Sequence, residues 1–224
     1  MVSGIIVAAG KGSRMGPNVD KLFLEVHGWP IVAHTWRIFD KLPEIDELVL
    51  VVREGFQAAF IELGQECKFA KPFRLIAGGP ERQDSVWNGL EAVSPSSQIV
   101  VIQDGARPCT SPELIMATIT AARETGAAVA AQPVTDTIKE SADGRLVSRT
   151  LERSRLWAVQ TPQTFRTETI RRALTEVRKR GLIVTDDTAA CELISQPVRL
   201  VISNQPNPKI TRQQDLGIIA SLLP

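Results

Sequence analysis

Apolar residues in this chain gather in short continuous runs, separated by longer stretches of helical spacing. Residues 4–9 (GIIVAA), 47–52 (ELVLVV), 73–76, 99–103 (IVVIQ) and 127–131 are short and partly β-branched, and they do not alternate with polar positions. Such runs predict strands covered on both faces. Between them, Ile31, Val32, Thr35, Ile38 and Phe39 follow a helical repeat, with Pro30 suited to a first turn. Residues 56–67 also read as helix, and Val86, Leu90 and Val93 predict another from Asp84, with Asp84 or Ser85 near its start. Ser111-Pro112-Glu113 supplies a cap, a first-turn proline and a first-turn acid for a helix through Glu124. Strands alternating with helices predict an α/β fold with a doubly wound, mostly parallel sheet. Right-handed crossovers then bring the loops at residues 10–21, 78–85 and 104–110 to one edge, where such sheets bind ligands.

The pattern changes over residues 137–151. Two short strand-like runs flank Ala142-Asp143-Gly144, a hairpin turn signal. A lone two-stranded ribbon is marginal in water, so this arm, at about 137–156, is expected to rest on a second subunit or on its own domain. Residues 168–180 read as a helix with a basic last turn closed by Gly181. Thr185-Asp186-Asp187 caps a further helix, residues 198–202 form a late strand, Lys209 lies in a loop, and a helix runs from Arg212. No linker separates a second domain, so one domain is expected over residues 1–224.

Charge and composition narrow the function. The 224 residues include 26 Lys and Arg against 25 Asp and Glu, so no global field recruits nucleic acid or an anionic membrane. No apolar run approaches a membrane span and no signal peptide is expected. Three scattered cysteines, Cys67, Cys109 and Cys191, suit a reducing cytoplasm. The two histidines, His27 and His34, have no Cys or His cluster near them, which disfavours a zinc site or a Ser-His-acid triad.

The first strand empties into GKGSRMGPNVDK, where Gly10 and Gly12 stand among Lys11, Arg14 and Lys21. Glycines let backbone N–H groups approach an anion and cations offset its charge, so this loop is suited to a polyphosphate. It is not a P-loop, because Lys11 is followed by glycine rather than Ser or Thr. The dinucleotide fingerprint also fails. Met15 stands where its third glycine belongs, and the second strand ends at Arg53, not at an acid about 20 residues on. An NAD(P) oxidoreductase is therefore disfavoured.

Further motifs follow: GGPERQDS (78–85), QDGARPC (103–109), PVTDT (133–137), ERSRLWAVQTPQ (152–163), TDD (185–187) and NPK (207–209). In this order they resemble the cytidylyltransferases that join the cytidylyl group of CTP to 2-C-methyl-D-erythritol 4-phosphate and release pyrophosphate. The resemblance implies a Rossmann-like nucleotidyltransferase domain, Mg²⁺ or another divalent cation, and a cytoplasmic homodimer that exchanges its arm. It implies that Ala8, Ala9, Gly10 and Gly12 cradle the triphosphate while Arg14 and Lys21 stabilise the transition state. Gly79, Arg82 and Ser85 fall on the cytidine side, and Asp104, Gly105 and Ala106 near ribose, with Asp104 holding the metal. Arg107, Thr137, Arg153 and Lys209 match the groups that hold the sugar phosphate, with Thr137 and Arg153 serving a partner's site.

The sequence departs from that family in places. Asp20 precedes Lys21 where proline is usual, Pro80 replaces a common acid, Gly105 a usual alanine, and Pro206 stands where an acid is frequent. Asp20 could soften the field of Lys21, and Pro80 has no N–H to offer a ligand. A cytidylyltransferase for another polyol phosphate, such as ribitol 5-phosphate, is the nearest alternative.

Overall fold

A computed structural model describes residues 1–10 and 20–223. The predictions for Lys11, Gly12 and Arg14 fall outside those residues.

The continuous apolar runs become β1 (Val2–Ala8), β4 (Glu47–Val52), β5 (Phe73–Ala77), β6 (Ile99–Asp104) and β7 (Ala127–Pro133). A short hairpin, β2 (Glu25–Val26) with β3 (Trp29–Pro30), precedes the first helix. The helices are α1 (Ile31–Lys41), α2 (Gln57–Glu66), α3 (Arg82–Ala92), α4 (Pro112–Thr125), α5 (Thr167–Arg180), α6 (Asp187–Glu192) and α7 (Asp215–Leu222). The remaining strands are β8 (Lys139–Glu140), β9 (Arg149–Thr150), β10 (Trp157–Arg166) and β11 (Arg199–Ile202).

Seven strands form the main sheet in the order β11-β7-β10-β6-β1-β4-β5. β1 pairs in parallel with β4 and β6, as do β4 with β5 and β11 with β7. β10 runs antiparallel to both β6 and β7. Both faces are covered. Ile6, Leu48, Leu50 and Val52 join the layer of α1, α2 and α7, while Ile5, Val49 and Val51 join that of α3 and α5. Each fully buried aliphatic side chain contributes about 1.5–3 kcal/mol of transfer free energy. Gly89 lets α3 lie close to the sheet, because a Cβ there would stand 2.8 Å from Ile5 Cγ2 and 2.9 Å from Val51 Cγ2.

α4 forms as its signals require. Ser111 Oγ accepts from the Leu114 N–H at 3.2 Å, Pro112 opens the helix, and Gly126 closes it at φ +89°. α3 begins two residues before Asp84, through a capping box between Glu81 and Asp84. α7 begins at Asp215 rather than Arg212, because Asp215 accepts the N–H groups of Thr211 and Arg212 and holds those residues in a turn.

β10 is the largest element that the hydrophobic pattern does not predict. Its middle reads Gln160-Thr161-Pro162-Gln163-Thr164, polar and proline-containing, and its register shifts between Val159 and Gln163. It is nonetheless buried at its centre, with Thr164 hydrogen-bonded to Thr118 and Thr161 to the N–H of Asp104.

Candidate active site

The carboxyl ends of β1 and β6, the turn after β5 and the segment after β11 enclose a cleft of about 490 Å³. That size suits a small ligand. Ala8, Ala9 and Gly10 form one wall, and Gly79, Arg82 and Ser85 the wall opposite. Asp104, Gly105 and Ala106 form the floor, and Lys21 and Lys209 stand at the rim. All but Gly12, Arg14 and the three groups assigned to the sugar phosphate apart from Lys209 are thus in one place.

Close packing makes the two walls meet. A Cβ on Gly78 would stand 2.2 Å from Ala9 Cβ, and one on Gly79 would stand 2.3 Å from Asp84 Cβ. Side chains would force the turn away from β1. Ser85 Oγ accepts the N–H of Gly79 at 3.1 Å and fixes that turn against α3.

The electrostatic centre is Asp104, at the end of β6. Its Oδ1 lies 3.3 Å from Arg82 Nε, and its Oδ2 lies 2.8 Å from Lys209 Nζ and 3.7 Å from Arg107 Nε. Burial alone would raise this carboxyl, but Arg82, Lys209 and Arg107 outweigh it and hold the pKa at about 2. Arg82 also donates to Asp187 Oδ2 at 2.8 Å. Burial works against its charge, yet Asp187 and Asp104 together hold it above the ordinary arginine value. Burial raises Asp187 against the pull of Arg82, and Asp186 and Asp104 add to the rise.

Asp187 is the clearest residue that sequence reasoning undervalued. It was expected only to cap α6, and Asp186 does that, accepting the Ala189 N–H at 2.9 Å. Asp187 is fully buried and ties α6 to α3 through Arg82. Nothing in its local sequence distinguishes the two acids; the difference arises because α3 and α6 meet in space.

Lys21 Nζ donates to the Ile210 carbonyl at 2.9 Å. The acid beside it is turned away. Asp20 Oδ2 pairs with Arg53 Nη2 at 3.0 Å, and Asp20 Oδ1 accepts the Leu22 N–H at 3.1 Å. Arg107 lies behind the floor, its Nη1 donating to the Asn207 carbonyl at 2.5 Å. Thr137 and Arg153 stand on exposed chain at the base of the arm, away from the cleft. Arg153 Nη1 donates there to the Thr135 carbonyl at 2.5 Å.

Neither histidine reaches the site. His27 Nε2 meets the Ala220 carbonyl and His34 Nε2 the Val26 carbonyl. The thiols are equally unsuited to nucleophilic work. Burial pushes Cys109 up to about 11 and Cys191 up to about 12. Because the thiolate is the reactive form, iodoacetamide at pH 7 is expected to label Cys109 at least about tenfold more slowly in the native chain than after unfolding. The native rate should keep climbing beyond pH 9; a plateau near that pH would contradict the burial effect.

A cation-rimmed cleft with an acid, at the carboxyl edge of a doubly wound sheet, has the form of a Rossmann-like site for an anionic nucleotide. Comparison with known proteins makes the class narrower. The IspD family model, described as 2-C-methyl-D-erythritol 4-phosphate cytidylyltransferase, matches residues 2–223. A protein of that name from Alkaliphilus oremlandii is 41% identical over 223 residues, covering 99% of this chain and 94% of its own length. One from Dehalococcoides mccartyi is 42% identical over 222 residues, covering 99% of this chain and 96% of its own. The crystal structure of 4-diphosphocytidyl-2C-methyl-D-erythritol synthase from Anaerococcus prevotii superposes with a TM-score of 0.87 at 31% identity, covering 98% of this chain and 96% of that one. The chain belongs to the IspD cytidylyltransferase family.

Proposed function

We propose that this chain transfers the cytidylyl group of CTP to 2-C-methyl-D-erythritol 4-phosphate, giving the CDP-polyol and pyrophosphate. Membership of the family supports this reading, and a polyol phosphate such as ribitol 5-phosphate is not the favoured acceptor. The observation that carries it is the convergence of Lys21, Arg82 and Lys209 with Asp104 on one cleft.

The chemistry asks little of proton transfer. A phosphate monoester oxygen, already ionised near neutral pH, attacks the α-phosphorus of CTP in line. The new P–O bond forms as the bond to the β-phosphate oxygen breaks, and pyrophosphate leaves with that electron pair. What the protein must supply is alignment of two polyanions and stabilisation of charge on the oxygens around the α-phosphorus. Ala8, Ala9 and Gly10 cradle the triphosphate and Lys21 acts on the α-phosphate; Gly12 and Arg14, outside the described residues, keep the roles that the resemblance implies. Gly79, Arg82 and Ser85 take the cytidine side, with Gly105 and Ala106 beside the ribose. Lys209 holds the sugar phosphate, backed by Arg107, and is joined by Thr137 and Arg153 from a second subunit.

The donor chemistry fits a divalent cation held mainly by the nucleotide. Among the described residues Asp104 and Glu81 are the carboxylates that line the cleft, and Mg²⁺ keeps several waters, so Asp104 with triphosphate oxygens would suffice. When bound, Mg²⁺ neutralises charge on the polyphosphate. The arm supports the homodimer. Residues 139–150 are exposed throughout, including Leu146 at 75% and Val147 at 61%, as expected of a ribbon that rests on a partner. Free Cys67, Cys109 and Cys191 suit a cytoplasmic setting.

A pyrophosphate-release assay with CTP and each sugar phosphate tests the reading; it fails if 2-C-methyl-D-erythritol 4-phosphate is not the better acceptor. In the same assay Lys209→Ala is expected to raise the KM for the sugar phosphate by about 10–100-fold, the worth of a charge-assisted hydrogen bond. A change confined to CTP would refute that role.

A further inference from the structure

We infer that Asn207 is a positioning residue that holds Lys209 at the cleft and Arg107 behind it. This rests on the proposed assignment of those two cations.

Asn207 is 2% exposed and does not line the cleft. Its carboxamide is fully engaged. Nδ2 donates to the Thr161 carbonyl at 2.8 Å and to Gln160 Oε1 at 3.2 Å, and Oδ1 accepts from Thr110 Oγ1 at 2.9 Å. Its backbone carbonyl accepts from Arg107 Nη1 at 2.5 Å. These partners belong to β10 and to the loop between β6 and α4, the two segments flanking the segment that carries Lys209.

The contacts close a ring. Asn207 bonds to Thr161, whose hydroxyl accepts the Asp104 N–H at 3.1 Å. The carboxylate of Asp104 then meets Lys209, two residues from Asn207. A second strap lies alongside: the Ile210 N–H donates to the Ala106 carbonyl at 2.9 Å, and the Ile210 carbonyl receives Lys21. Lys209 is therefore aimed by a segment pinned on both sides, and Asn207 is the pin on its N-terminal side.

The site requires an amide. It must give N–H groups to two acceptors and take a hydroxyl from the other side. Aspartate is the same size but would turn an acceptor toward the Thr161 carbonyl and Gln160 Oε1. Alanine would remove all three of these bonds, although Thr110 Oγ1 would still reach the Arg107 carbonyl and Gln103 Nε2.

The test compares Asn207→Asp and Asn207→Ala with the wild type in steady-state kinetics and in hydrogen exchange. The KM for the sugar phosphate is expected to rise about tenfold in either variant, with the KM for CTP within about twofold. Amides of residues 105–110 and 207–211 should exchange faster while those of β4 keep wild-type protection. A structural role alone would lower the melting temperature and move both KM values together or neither, and that result overturns the inference. So does unchanged exchange in the two segments, a readout that holds even if the wild type proves to use another substrate. If neither variant folds, Thr110→Val removes one strut from outside the cleft. It should raise the sugar-phosphate KM about threefold, and no rise would equally overturn the inference.

Discussion

Replacing Lys21 by alanine is expected to cut kcat by about 10²–10³, while the affinity for CTP changes only a few-fold. One preorganised donor aimed at developing transition-state charge is worth about 3–4 kcal/mol, which is that change in rate. Loss of a donor that acts on the developing charge lowers kcat more than it lowers ground-state affinity. The ammonium donates to the Ile210 carbonyl, which helps to fix its direction at the cleft. Asp20, the acid most able to weaken it, is occupied by Arg53 and by the Leu22 N–H. The departure from the usual residue at position 20 therefore has a compensating partner in Arg53. Single-turnover rates and calorimetric CTP binding separate the two effects. Equal losses in rate and affinity would make Lys21 a binding group only.

Much of the architecture was legible because its signals are local. The buried parallel strands announce themselves as unalternated β-branched runs, and α4 carries its own start and stop in Ser111, Pro112 and Gly126. The cleft walls were legible for a related reason: glycines and cations sit at strand ends, and right-handed crossovers place strand ends together. What stayed hidden depends on distant partners. β10 is buried because its polar side chains find hydrogen bonds: Thr164 on α4, Thr161 on β6, and Gln163 on Asp186 and the Asp187 N–H. Hydrophobic periodicity registers apolar positions and is blind to a strand satisfied in this way. Asp187 and Asn207 sit in motifs that the sequence singles out, yet their contacts were hidden for the same reason. A capping acid and a loop asparagine look ordinary until residues about a hundred positions upstream, Arg82 and Thr110, arrive beside them.

Asp104→Asn is expected to lower both stability and turnover, and the two losses have one source. Arg82, Arg107 and Lys209 all lie within 3.7 Å of this carboxylate. Asparagine keeps the shape but removes the charge, so three cations face one another with only Asp187 left to balance Arg82. Removing one member of a buried ionic cluster costs about 3–5 kcal/mol. At 2–4 °C per kcal/mol for a chain of this size, the melting temperature should fall by roughly 6–20 °C. A polyanion can replace the missing charge, because it binds the folded state where the cations converge. Millimolar tripolyphosphate should therefore raise the melting temperature of Asp104→Asn by more than it raises that of the wild type. Turnover should not return with it, since the anion restores charge balance without restoring the carboxylate that orders Arg82 and Lys209 about the nucleotide. Equal stabilisation of both proteins would mean that the cations do not depend on Asp104 for their balance, and recovery of activity would remove this residue from the reaction.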